Sequence, residues 1–339
     1  MGTMRKSGAN SSGGRMRTGL CGAGAALLLC GAPAASNAGE VFYTDWVTPG
    51  NTNFADDQIW TVNLDGSGKT AITTPGQVQR PIGLAVDMAN QYVYYAAGGA
   101  GAPGVVGRVH FNGTGNQTLV DGAAFGFSDA QHIKLDLANG KMYWASYHDG
   151  LRRANLDGSN VEVVEARDTD ATPPVPADGE TRGQLALFGN TLYIGSPNTQ
   201  NMYQANAQAN TSLTDMGWDT VGANDLAINT AGTRLYWADA NGQRIMSNNL
   251  AGTDVQTLVS ALNTPLGVAL LPDGKILWTE RGGQRVGIAN ADGSNPLTVT
   301  TAGNPFGVAV AVPEPGTAGV LVLVGGALLA GRRRRRAES

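Results

Sequence analysis

The sequence predicts an all-β fold: a six-bladed β-propeller whose blades are four-stranded antiparallel sheets. Three observations predict it. One strand-turn-strand phrase recurs six times along the chain, the copies follow one another at a nearly constant spacing, and a lone strand-like segment late in the chain matches the strand missing from the first copy.

The copies align on an aromatic pair and a turn. They read VFYTDW…QIWTVNLDGSG from Val41, YVYYAAG…GRVHFNGTG from Tyr92, KMYWASYHDGLRRANLDGSN from Lys141, TLYIGSPNTQNMYQANAQAN from Thr191, RLYWADANGQRIMSNNLAGTD from Arg234 and KILWTERGGQRVGIANADGSN from Lys275. The turn positions Gly66, Gly113, Gly158, Ala209, Gly252 and Gly293 lie 47, 45, 51, 43 and 41 residues apart. A period of this size filled with short alternating strands marks a repeat architecture.

Residues 1–38 come first and read as a secretory signal peptide. Arg5, Lys6, Arg15 and Arg17 precede the apolar run Leu20–Ala32, and the small residues Ser36–Ala38 suit a cleavage site. Both cysteines, Cys21 and Cys30, belong to this segment. The exported body is therefore expected to carry no disulfide, thiolate metal site or cysteine nucleophile.

Residues 39–311 form the propeller. Blade three shows the unit: HIKLDL, the turn ANG, KMYWASY, a gap, LRRANL, the turn DGSN and VEVVEA. Asn-Gly and Asp-Gly between alternating runs tolerate the positive φ of tight hairpins, and four antiparallel strands per unit make a propeller blade. The first copy starts at its second strand. PFGVAVA, Pro305–Ala311, matches the first strands PIGLAVD and PLGVALL and has nothing after it, so it is predicted to complete blade one and close the ring.

YWAS from Tyr143, YWAD from Tyr236, FYTD from Phe42 and LWTE from Leu277, each followed by LDG or a relative, resemble the YWTD repeats of the low-density lipoprotein receptor family, a resemblance that implies six-bladed propellers. Blades two (YYAA) and four (YIGS) depart from the pattern, so no ligand residues are carried over. The aromatic pair is expected to pack one ring between blades and the other on the blade's own partner. Asp45, Asp239 and Glu280 are expected to accept hydrogen bonds from turns or from Arg244 and Arg285. Asp87 and Asp136 are assigned to turn chemistry.

Strand parity separates two faces. Short turns joining strands one to two and three to four share one face, and longer connections such as 47–57, 97–107, 121–131, 166–183 and 214–225 emerge on the other. Long, varied loops on a rigid scaffold are where binding concentrates. The candidate ligand contacts there are Trp46, Phe125, Phe127, Tyr147, Arg182, Trp218 and Arg281, with an extracellular polysaccharide or protein as ligand.

Residues 39–311 hold 14 Lys and Arg against 25 Asp and Glu, a net charge near −11 that argues against nucleic acid as partner. No catalytic residues are assigned: His110, His132 and His148 fall on different strands or blades, and there is no HExxH or GxSxG. A binding or matrix-associated role with no cofactor or metal is expected. The alternative is a calcium-dependent lactonase or hydrolase, for which GANDLAIN (Gly222–Asn229) and PDGKILWTE (Pro272–Glu280) offer weak similarity. Its Ca²⁺ would need about six to eight oxygens in the central tunnel.

The chain ends in residues 312–339. Residues 317–331 are apolar and Arg332–Arg336 follow, an order that reads as a short transmembrane segment with its charged end in the cytoplasm. Pro313, Glu314 and Pro315, then the apolar segment, then the arginines resemble the PEP-CTERM sorting tail. That resemblance implies export by the Sec machinery, transient residence in the inner membrane, cleavage by an exosortase, and release to the cell surface or exopolysaccharide.

Overall fold

The computed structural model describes residues 39–46, 54–99, 102–146, 149–165, 183–196, 200–220 and 222–311. The signal segment, the sorting motif at Pro313, Glu314 and Pro315, and the tail lie outside the described residues.

Twenty-four strands form six sheets of four. Blade one contains β1 (Glu40–Asp45), β2 (Gln58–Asn63) and β3 (Thr70–Ala71); blade two β4 (Pro81–Asp87), β5 (Tyr92–Gly99), β6 (Ala102–His110) and β7 (Gln117–Asp121). Blade three contains β8 (Ile133–Asp136), β9 (Lys141–Ser146), β10 (Gly150–Asn155) and β11 (Glu162–Glu165); blade four β12 (Gln184–Phe188), β13 (Thr191–Gly195), β14 (Asn201–Asn206) and β15 (Thr214–Asp219). Blade five contains β16 (Ala223–Ile228), β17 (Arg234–Asp239), β18 (Arg244–Asn249) and β19 (Gln256–Val259); blade six β20 (Pro265–Leu270), β21 (Ile276–Glu280), β22 (Arg285–Ala289) and β23 (Leu297–Thr301). The last strand, β24 (Pro305–Ala311), pairs antiparallel with β1 and gives blade one its innermost strand, in the order β24-β1-β2-β3. The ring closes as the sequence predicts. Glu40 pairs with Ala311, so both leave the propeller on the face of the short turns.

The aromatic pair corrects one expectation, because both of its rings pack between blades. Strand alternation sends Tyr143 toward blade four, with Leu192 and Ile194, and Trp144 toward blade two, with Tyr94 and Val106. The same split places Tyr236 with Trp278 of blade six and Trp237 with Tyr193 of blade four. A strand's two sides each face a neighbouring sheet, so neither ring is left for the blade's own surface. Buried residues therefore gather into clusters at the blade interfaces rather than around one centre.

Two sets of glycines set the spacing between blades. The turn glycines, such as Gly66 with φ 83°, sit against the preceding blade: a Cβ there would lie 2.5 Å from the Val299 carbonyl oxygen. The first-strand glycines Gly83, Gly267 and Gly307 have no positive φ but let neighbouring backbones meet around the axis. A Cβ on Gly83 would lie 2.7 Å from His132 Cα.

The strand-end carboxylates do what the sequence assigns to them. Asp45 accepts from Gly303 N at 2.8 Å and Asn304 N at 2.5 Å. Asp239 accepts from Gly242 N and Arg244 Nε, and Glu280 from Asn263 N and Arg285 Nε. Asp87 and Asp136 hold their turns through Asn90 and Asn139.

Candidate functional site

First strands run from the loop face to the turn face, so their leading residues ring the tunnel mouth on the loop face. Ile82, His132, Gln184, Asn224, Leu266 and Phe306 come from six different blades and line a cavity of about 200 Å³. The ring has two halves. Blades six, one and two contribute Leu266, Phe306 and Ile82; blades three, four and five contribute His132, Gln184 and Asn224, with Gln131 beside them.

The polar half is largely bonded within itself. His132 is buried and its Nδ1–H donates to Gly183 O, which leaves Nε2 as the acceptor nitrogen of the neutral ring. Burial pushes its pKa below the ordinary value, against the pull of Asp225. Asp225 Oδ1 lies 3.5 Å from both His132 Nε2 and Lys134 Nζ, and its oxygens also accept from Leu226 N and Val268 N. Gln184 Nε2 donates to Ala223 O, whereas its Oε1 is buried with no hydrogen-bond partner among the described residues.

These residues do not fit Ca²⁺. The described tunnel residues bring one carboxylate, already engaged by two backbone amides and an ammonium, where a hard cation needs about six to eight oxygens. Among the described residues no group of three or more His, Cys, Asp or Glu comes together.

The apolar half continues outward as a column of stacked groups. Trp46 and Phe306 stack with ring centroids 3.6 Å apart and 25° between planes. The Arg281 guanidinium lies 5.1 Å from the Phe306 ring, and the Arg80 guanidinium 4.6 Å from Trp46 and 5.6 Å from Phe54. Side-chain bonds lock the order: Trp46 Nε1 donates to Pro81 O at 2.9 Å, and Arg281 Nε to Asn304 Oδ1 at 2.8 Å. Arg80 has φ 50° before Pro81, and its backbone N–H donates to Asp57 Oδ2 at 2.8 Å. Thr264 has φ 56° before Pro265, so blades two and six begin alike in this respect. The guanidinium is what Arg80 adds.

Of the candidate contacts, Trp46 and Arg281 thus meet at the mouth through Phe306. Phe127 is buried instead, 5.7 Å from Trp144 and under the Arg152 guanidinium. Phe125 is 48% exposed at the end of the short helix α1 (Gly122–Phe125), with its carbonyl held by Arg152 Nη2. Trp218, on the outermost strand of blade four, packs with Leu250 and against Gly252 of blade five. Tyr147 and Arg182 lie outside the described residues.

Phe306, Arg80, His132 and Gln184 belong to the mouth but not to the sequence-derived set. A signal existed for two of them: His132 and Gln184 open first strands, where other copies carry glycine and aliphatics. Phe306 reads from sequence as part of a closing strand, and nothing local marks Arg80.

Comparison with known proteins agrees with this architecture. Residues 233–272, which hold β17 and β18, match the low-density lipoprotein receptor repeat class B. The fold is a six-bladed propeller, and one stretch of it matches the class B repeat. The chain is 40% identical over 77 residues to the human (Homo sapiens) low-density lipoprotein receptor-related protein 4, covering 22% of this chain and 4% of that protein. It is 28% identical over 119 residues to low-density lipoprotein receptor-related protein 1 of Pyricularia oryzae, covering 34% of this chain and 38% of that one. The chain therefore spans well under half the length of either relative. Among solved structures, the propeller superposes on a chain of a nidogen/laminin complex with TM-score 0.61 at 16% identity, over 80% of this chain and 98% of that one. It also superposes on TolB from Acinetobacter baumannii with TM-score 0.59 at 12% identity, over 80% of this chain and 66% of the other. At these identities what is shared is the fold.

Proposed function

We propose that this chain is an exported propeller that binds an extracellular polysaccharide at the tunnel mouth of its loop face, as a cell-surface or matrix-associated protein. The observation that carries this reading is the column Arg281, Phe306, Trp46, Arg80 and Phe54 beside a mouth lined by carboxamides. It sets guanidinium donors and the Gln184 Oε1 acceptor next to apolar surface on a closed ring of sheets, and groups already held in place lower the cost of ordering on binding. No nucleophile or metal set is part of the reading.

The tail fits this reading. Export through the Sec machinery and a transient inner-membrane anchor cut by an exosortase near Pro313–Pro315 would hold the chain at Ala311. Ala311 lies on the turn face, so the mouth would point away from the membrane while the anchor remains. The test is retention of the purified chain on immobilised bacterial polysaccharides. The wild type should be retained and a Trp46→Ala, Phe306→Ala double variant should not; a wild-type chain that no polysaccharide retains refutes the proposal.

A further inference from the structure

We infer that Arg80 and Arg281 recognise carboxylates, so that the ligand is an acidic polysaccharide bearing uronate groups. The inference rests on the polysaccharide reading above and adds the chemical class.

A census of cations leads to it. Among the described residues Arg153, Arg234, Arg244, Arg285, Lys275 and Lys134 each form an ion pair with a carboxylate. Arg108 and Arg152 donate to oxygens around them, Lys69 to Thr301 O and Lys141 to Asn155 Oδ1. The Arg80 guanidinium makes no hydrogen bond or ion pair with any described residue, and its buried Nε has no partner. Arg281 spends only Nε, on Asn304, and is exposed. In a body where acids outnumber bases 25 to 14, Arg80 and Arg281 are the described arginines that pair with no carboxylate and share one aromatic column at the mouth.

The nearby carboxylates do not close on them. Asp57 takes the Arg80 backbone N–H, Asp45 takes Gly303 and Asn304, and Asp129 takes Ser146 Oγ and Gln131 Nε2. Burial lowers the Arg80 pKa; Asp57 and Asp129 oppose this and Arg281 adds to it, so the two cations repel each other. An anion at either guanidinium relieves that repulsion and satisfies planar, paired donors, the geometry in which arginine binds carboxylate best. Two stacked rings separate the cations, so they suit two anions along one polymer rather than a single ion. The uncharged carboxamides of Gln131, Gln184 and Asn224 beside them suit hydroxyls, which favours a uronate chain over an acidic peptide.

The experiment is calorimetric titration of the full chain in mild detergent. The probes are galacturonate, mannuronate and guluronate oligomers, the same oligomers with carboxyls reduced to alcohols, and poly-L-glutamate. At least one uronate oligomer should bind, its reduced form at least tenfold more weakly, and poly-L-glutamate more weakly still. Arg80→Gln and Arg281→Gln should each weaken uronate binding about tenfold, as expected for one charge-assisted contact, and weaken the reduced oligomer by clearly less. Arg80→Lys should fall between. Equal binding of the reduced form, or no effect of either substitution, overturns the carboxylate assignment and leaves the polysaccharide reading in place. Tighter binding of poly-L-glutamate overturns the choice of sugar. If no oligosaccharide of either kind binds, both fall.

Discussion

Gly83→Ala adds one methyl group where β4 meets the first strand of blade three. The new Cβ would lie 2.7 Å from His132 Cα and 3.0 Å from Ile133 N, and would overlap the Gln131 carbonyl oxygen. Carbon atoms rest about 3.5–4.0 Å apart, so the two first strands must separate by roughly 1 Å. All of the obstructing atoms are backbone, and no rotamer change can yield. Overpacking of this kind costs about 1–3 kcal/mol. Local preference points the other way, since alanine in place of glycine in a strand is favourable by about 0.5–1 kcal/mol. The central values leave packing ahead by about 1 kcal/mol, with about 2.5 kcal/mol as the upper end, and at roughly 2–4 °C per kcal/mol for a body of this size the melting temperature should fall by about 2–4 °C and by at most about 10 °C. Differential scanning calorimetry of the full chain reads this directly. Gly140→Ala is the control: its Cβ would meet nothing within 4 Å, and only its φ of 63° opposes the change. A Gly83→Ala protein that melts at or above the wild-type temperature refutes the claim that first strands need backbone contact at the axis.

Three further outcomes follow from the same geometry. Trp278→Ala removes a fully buried ring from the interface of blades five and six and should cost about 3–5 kcal/mol, measured by denaturant unfolding. Asp45→Ala frees the backbone N–H groups of Gly303 and Asn304 just before the closing strand, so hydrogen exchange at β24 should speed up before exchange in blade four. His132 gives a pH signature with a definite sign. Its folded-state pKa lies below the ordinary value, so the unfolded chain takes up a proton that the native one refuses. Stability should be full above about pH 6.5 and fall as the pH drops toward the native pKa. His132→Gln should flatten that slope in melts at pH 7.5 and 5.5, and an unchanged slope would remove His132 as its source.

The blade unit was readable because its determinants are local. An Asp-Gly turn, a run of alternating residues and a strand-end carboxylate act within a few residues of themselves, and Asp45, Asp239 and Glu280 find their partners where the repeat implies. The destination of the second aromatic ring was not readable, because it depends on what stands on the far side of a sheet. Trp46 and Arg281 were recognisable as loop-face groups, yet their meeting depends on Phe306, which is 260 residues from Trp46 in the chain. Phe127 and Trp218 read from sequence as loop-face groups too, but pack against Trp144 and Gly252.

By itself the sequence determined the repeat, the number of blades and the closure by Pro305–Ala311, because each is a pattern of residue types at short range, copied along the chain. Only the tertiary structure decided which side chains share the tunnel mouth. Ring closure brings blades six, one and two together, and this neighbourhood sets the Arg80 guanidinium on Trp46 and Phe54 with no hydrogen bond or ion pair among the described residues. Whether a charge is paired is a property of the space around it, and that space is built by strands far apart in the chain.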